Sequence, residues 1–135
     1  MMKPFMSVYH EQCYALMRIV VGFLFLWHGT QKLFGFPNPI PGQVPAFITY
    51  VAGPIEFVGG ILVMIGFLTS WAAFIASGEM AVAYWMVHGT TALLPFQNKG
   101  ELAVMYCFAF LFISTRGSGI WSVDALRCES CRPSP

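Results

Sequence analysis

The sequence predicts an all-α integral membrane protein, an antiparallel four-helix bundle that crosses the bilayer four times with both termini in the cytoplasm. Three observations predict it. The chain has 135 residues, of which 57% are hydrophobic and only 10% charged, against about 25% charged in an ordinary soluble domain. A domain of this size must then present an apolar surface, which lipid tolerates and water does not. Four apolar stretches alternate with clusters of proline and glycine, the residues that end helices and build connections. Lysine and arginine divide unevenly among those connections, which sets an orientation.

The first span is expected at residues 13–34. Lys3 and Arg18 flank the apolar run from Ile19 to Trp27, as the positive end of a signal peptide would. No small-x-small cleavage site follows, and the run continues beyond, so it reads as a retained helix. Pro37, Pro39, Pro41 and Pro45 then exclude a continuing helix. The second span is expected at 46–68, with Thr69-Ser70 as a tight turn into the third at 71–88. Residues 89–100, containing Pro95, form the next loop, and the fourth span covers 101–115. Each approaches the roughly 20 residues that cross a hydrocarbon core; the last is the shortest. Gly117-Ser118-Gly119 ends it. Residues 1–126 make one domain, and residues 127–135 a flexible cytoplasmic tail.

An even number of spans puts both termini on one side. That side collects Lys3, Arg18, Arg116, Arg127 and Arg132, while the other has Lys32 and Lys99. The excess of positive charge marks the cytoplasmic face. Trp71 and Trp121 then both lie at that interface.

The informative residues are the charges inside the spans, because an ionised side chain at mid-bilayer costs at least about 2.5–3.5 kcal/mol. Glu56 and Glu79 fall about 12–15 Å into their helices, near the midplane. Arg18 lies about one turn inside the cytoplasmic end of the first span, and Lys32 near its outer end. Glu101 opens the last span from outside. At about 100° per residue, Arg18, Gly22, Phe25, Gly29 and Lys32 share one stripe. Gly53, Glu56, Gly60, Val63 and Phe67 share another, and Ala72, Ile75, Glu79, Ala83 and Met86 a third. Small residues allow helices to approach closely, so these stripes should face the interior and point the charges at one another. Arg18, Lys32, Glu56, Glu79 and Glu101 thus make up the expected buried polar site. Lys32 is expected to pair with Glu101 or Glu56, and Arg18 with Glu79 or Glu56, unless Arg18 snorkels to the surface. Two readings stay open: the charges fix helix register, or they form a proton or redox-ligand site.

His28 and His88 lie at similar depth on different helices and are candidates for holding a ligand. They could hydrogen-bond a quinone carbonyl or ligate a metal or haem, though interface histidines are commonly satisfied by their neighbours; no metal site is assigned. Cys128-Glu129-Ser130-Cys131 has no second half to complete a four-ligand zinc site, and no spacing among Cys13, Cys107, Cys128 and Cys131 suggests a disulfide framework. No basic block or nucleotide-binding glycine loop points to nucleic acid.

The segment from Arg18 to Phe25, followed by His28-Gly29 and Lys32-Leu33, resembles the first-span signature of the DoxX family. The segment from Glu56 to Thr69 looks like its second. Asn98-Lys99-Gly100-Glu101 before the last span, and the run from Gly117 to Asp124 after it, look like its closing motifs. The resemblance extends from Arg18 to about Leu126 and leaves the cysteine-containing tail outside. It implies a small four-span protein of a bacterial inner membrane, in a family named for an archaeal thiosulfate:quinone oxidoreductase and with members associated with proteins that handle oxidative or thiol stress. It supports Arg18, Lys32, Glu56 and Glu101 as motif residues; Glu79 rests on the bilayer argument alone. The expectation is a membrane subunit of a quinone-linked redox system, with the lipid bilayer, a redox protein or a second copy of the chain as partners and quinone as the cofactor. A small proton-coupled transporter and a scaffold using its charges for packing are the alternatives.

Overall fold

The computed structural model describes residues 4–127. Cys128 and Cys131, with Lys3 and Arg132, lie outside the described residues. Among those described there are six α-helices and no strand. Two helical stretches, Ser7–Phe34 and Ile48–Ile65, are long and apolar enough to cross a membrane.

Helix α1 (His10–Phe34) continues a short 3-10 turn at Ser7–Tyr9. It stops at Gly35, whose left-handed φ of 67° lets its N–H donate back to the Gln31 carbonyl. Helix α2 (Gly53–Ile65) grows out of a π-helical turn at Ile48–Ala52 and ends at Gly66, φ 74°. There the N–H groups of Gly66 and Phe67 both return to the Leu62 carbonyl, closing the helix. Helix α3 (Thr69–Ala83) follows at once and runs into a second π-helical turn, Tyr84–His88. The one-turn helix α4 (Pro95–Asn98) lies in the next loop, before α5 (Glu101–Arg116). A closing loop leads to α6 (Val123–Arg127). The sequence reading does not anticipate α4 or α6, because both are too short to carry a hydrophobic period.

The helices pack chiefly as two pairs, α1 with α2 and α3 with α5. Within the first pair glycine sets the distance. A Cβ on Gly22 would stand 2.6 Å from the Met64 nitrogen, one on Gly60 2.7 Å from the Leu26 nitrogen, and one on Gly29 2.3 Å from the Phe57 nitrogen. Backbone meets backbone along α1 and α2, and nothing larger than hydrogen fits between them. In lipid, where apolar surface alone gives no drive to associate, such close van der Waals contact supplies it. The contacts of Gly22 with Met64 and of Gly29 with Phe57 also fix the two helices as antiparallel. In the second pair the Ser77 hydroxyl donates to the Cys107 carbonyl at 2.8 Å. Gly100 packs on the Tyr84 ring and Gly117 beside Ser70, so these helices are antiparallel too.

Aromatic rings join the pairs. Phe25 lies edge-on to Phe110, with ring centroids 4.6 Å apart, and Tyr106 stacks on Phe110 at 5.8 Å. Val63, Ala73, Ala76 and Ile113 complete the buried core. The outward faces stay apolar: Leu16, Val20, Phe23, Leu24, Phe74, Ile75, Met105 and Phe108 are all exposed, a surface suited to acyl chains and not to water.

Candidate functional site

The bundle has two polar ends, built differently. At one end stand the start of α1, the end of α2 and the closing loop. Arg18 is fully buried there, and its guanidinium meets carbonyls only. Nη1 donates to Val63 and Met64 at 2.7 and 2.8 Å, and Nη2 to Trp121 and Ile120 at 2.8 and 3.3 Å. The pairing with Glu79 or Glu56 expected from the sequence does not form. Val63 and Met64 belong to the last turn of α2, where carbonyls lack intrahelical partners and carry the negative end of the helix dipole. The open carbonyls of a helix end take the Nη1 donors in place of a carboxylate, while the buried Nε has no partner among the described residues. Arg18 thereby fastens three segments, α1, α2 and the closing loop. The Asp124 N–H, donating to the Gly66 carbonyl at 3.0 Å, adds a second tie.

Tyr14, which the sequence reading passes over, completes this end. Its hydroxyl donates to the Gly117 carbonyl, and the Arg116 guanidinium sits 4.6 Å above its ring. Arg116 also pairs with Glu11. A shallow groove of about 690 Å³ lies alongside, lined by Met6, His10, Cys13, Met17 and Phe112 among others.

The opposite end holds the acids. Lys32, in the last turn of α1, forms an ion pair with Glu56 Oε1 on α2. The Glu56 side chain is 2% exposed and that of Lys32 19%. This is one of the two pairings the stripes allow for Lys32. Glu79, on α3, lies within electrostatic reach of both Glu56 and Lys32. Glu56 Oε2 and Glu79 Oε2 are buried, and neither has a hydrogen-bond partner among the described residues. Tyr106, on α5, lies within electrostatic reach of Glu56. His28, one turn before Lys32 on α1, sets its ring edge-on to Tyr106 with centroids 5.8 Å apart. Four helices thus contribute one cation, two carboxyls, an imidazole and a phenol to one neighbourhood. Tyr106 could have been found from the spacing of Ala103, Tyr106, Phe110 and Ile113, all buried along one face of α5.

Besides Arg18, two residues expected at this site stand apart from it. Glu101 is exposed as the first residue of α5. Its place there suits the positive end of the helix dipole and makes no ion pair with Lys32 among the described residues. His88 Nδ1 donates to the Asn98 carbonyl at 3.0 Å. It belongs to a loop organised by buried Asn98, whose side-chain amide donates to the Ala92 carbonyl and the Tyr84 hydroxyl while its oxygen accepts from the Gly100 N–H. Among the described residues no three of His, Cys, Asp and Glu gather as metal ligands.

The sequence model of the DoxX family matches residues 14–89, a stretch that holds Arg18, Lys32, Glu56 and Glu79. An uncharacterised protein of Haemophilus influenzae is 40% identical over 122 residues, covering 86% of this chain and 91% of its own. The "Putative oxidoreductase CatD" of Bacillus subtilis is 26% identical, with 81% of this chain and 82% of its own covered. The "Inner membrane protein YqjF" of Escherichia coli is also 26% identical, with coverages of 81% and 87%. No solved structure matches. The family match, the inner-membrane relative and the two long apolar helices together make this a membrane protein.

Proposed function

The chain belongs to the DoxX family, and from that premise we propose that it is a four-span inner-membrane subunit of a quinone-linked redox system. In this reading α1, the stretch 48–65, α3 with its π-helical turn, and α5 are the spans. Both termini face the cytoplasm, and residues 1–126 form one domain. The polar cluster of Lys32, Glu56 and Glu79 then lies in the outer half of the bilayer.

The observation that carries the reading is the composition of that cluster. Buried carboxyl oxygens without partners beside an ammonium, an imidazole and a phenol are what a ligand bearing polar oxygens on an apolar body would engage. A quinone ring is such a ligand, and when bound it takes up electrons together with protons. Lys32 and His28 carry N–H groups able to donate to its carbonyls, Glu79 has a carboxyl free to exchange a proton, and Tyr106 offers an aromatic wall. The sequence has no flavin or nicotinamide fingerprint, so a separate redox protein would deliver the electrons. The name carried by the Bacillus relative points the same way.

The test is mass analysis of small molecules that co-purify with the protein, run in parallel on a Glu56→Gln variant of unchanged helicity. Quinone retained by the parent and lost from the variant supports the reading and locates the site. Absence of quinone from a parent purified out of quinone-containing membranes refutes it, and leaves the cluster as a transport or packing device.

A further inference from the structure

The cluster has a charge imbalance that its geometry does not relieve. Lys32 supplies one positive charge, and Glu56 and Glu79 supply two carboxyls. Lys32 is committed to Glu56 Oε1. Tyr106 from α5 lies within electrostatic reach of Glu56, with His28 from α1 edge-on to its ring, and Ser77, on α3 with Glu79, turns its hydroxyl to Cys107. His28 sits one turn from the Lys32 ammonium, where a second cation would be repelled. Both carboxyls keep a buried oxygen with no partner among the described residues, and that of Glu56 belongs to a side chain almost wholly enclosed. A net charge held among helices in lipid is strongly disfavoured, so the cluster calls for one more unit of positive charge. Space is available beside it. Gly59, on the same face of α2 as Glu56, is buried, yet a Cβ there would meet nothing within 4 Å.

The geometry points to a proton-binding site in which Glu79 carries one exchangeable proton, so that Lys32, Glu56 and Glu79 together are electrically neutral. The inference rests on the four-span reading, which puts the cluster in lipid, and not on any quinone. A carboxylic acid here is both a donor and a store. It can release its proton when a ligand brings its own positive charge or takes up electrons, and recover it afterwards. Glu79 is half-buried where Glu56 is enclosed, so Glu79 is the carboxyl placed to exchange.

The test is infrared spectroscopy of the full chain in lipid nanodiscs at neutral pH, reading the C=O stretch of a protonated carboxyl and its shift in heavy water. The parent shows one such band. Glu79→Gln abolishes it with helicity unchanged, since glutamine mimics the neutral acid. Glu56→Gln also abolishes it, because Glu79 then becomes the partner of Lys32. Lys32→Gln enlarges it about twofold, both carboxyls becoming neutral. Glu79→Asp moves the band, and Glu56→Asp leaves it in place. A parent without the band, a band that survives Glu79→Gln, or one that vanishes when sodium or potassium chloride is added would overturn the assignment. So would a band absent from the parent that appears in His28→Gln, which would put the proton on the imidazole. A band in a protein that retains no quinone would keep the proton site and discard the redox reading.

Discussion

Replacing Arg18 by methionine tests whether the buried guanidinium is structural. Methionine keeps most of the stem's bulk and removes every hydrogen bond. Three of those bonds are 2.7–2.8 Å long and the fourth 3.3 Å. At about 1.5–3 kcal/mol for a hydrogen bond to a charged group, the three short ones amount to roughly 4–9 kcal/mol. Against this, burying a guanidinium costs several kcal/mol that methionine does not incur. The Val63 carbonyl also keeps a second donor, the Gly66 N–H at 3.3 Å. The balance is a loss of about 2–4 kcal/mol. Arg18→Lys should recover less than half of it, because one ammonium cannot span carbonyls on both α2 and the closing loop. The assay is unfolding in mixed micelles with rising dodecyl sulfate, read by helicity, with amide exchange followed over residues 117–127. Arg18→Met should lower the midpoint and deprotect the closing loop. Arg18 and Lys32 are 14 residues apart on one helix, about 21 Å, so any ligand held at the Lys32 end should be retained. Stability within about 1 kcal/mol of the parent and an equally protected loop would refute the reasoning. Loss of the ligand with stability intact would make Arg18 part of the site.

Other substitutions probe the packing and the site boundary. Gly29→Ala should cost at least about 2 kcal/mol in the same unfolding assay, because its Cβ would stand 2.3 Å from the Phe57 nitrogen and must push two backbones apart. Gly78→Ala is its counterpart: nothing lies within 4 Å, so it should be neutral or stabilising by up to about 1 kcal/mol. Asn98→Ala removes three hydrogen bonds to the loop between α3 and α5; a loss of about 1–3 kcal/mol and faster protease cleavage within residues 89–100 should follow. Glu101→Gln, at an exposed helix start, should leave ligand retention unchanged and stability within about 0.5 kcal/mol.

The stripes of the first two spans were legible because helical period and small residues need no tertiary information; that of the third was not, since Ile75 and Met86 on it are exposed and α3 buries Ala72, Ala73, Ala76, Ser77 and Met80 instead. Gly22, Gly29 and Gly60 share faces with Arg18, Lys32 and Glu56 in the sequence, and those faces are the ones in contact. The partner of Arg18 was not legible. Sequence reasoning looks for a carboxylate, whereas the structure supplies the open carbonyls of a helix end and of a loop folded back upon it. That loop also explains Gly66, where a Cβ would collide with Ser122 and Arg18. Glu101 was misplaced for a related reason. Depth along a helix is readable from residue count, but a residue at the boundary can turn outward, and its exposure depends on a loop whose geometry Asn98 sets.

The two ends of the bundle carry opposite solutions to the same problem. At the Arg18 end, both terminal nitrogens of a cation are held by carbonyls, the helix is closed by Gly66, and the closing loop is tied to both. At the Lys32 end, the backbone is π-helical in two places, Ile48–Ala52 just before the turn bearing Glu56 and Tyr84–His88 just after the turn bearing Glu79. A π-helical turn adds a residue to the helix and is costly enough that such turns gather where function requires a side chain re-aimed. In α2 the turn precedes the glutamate and in α3 it follows, and both lie on the segments that flank the acidic pair. Deleting one residue from either turn, such as Tyr50 or Met86, should restore regular α-helical bonding with little loss of helicity, while rotating the flanking segment by about 100°. If the turns serve the cluster, the deletion of Tyr50 should uncouple α1 from α2 at Lys32–Glu56 and abolish the protonated-carboxyl band. A deletion variant that keeps the band would show that the π-helical turns only fit the helices to their loops.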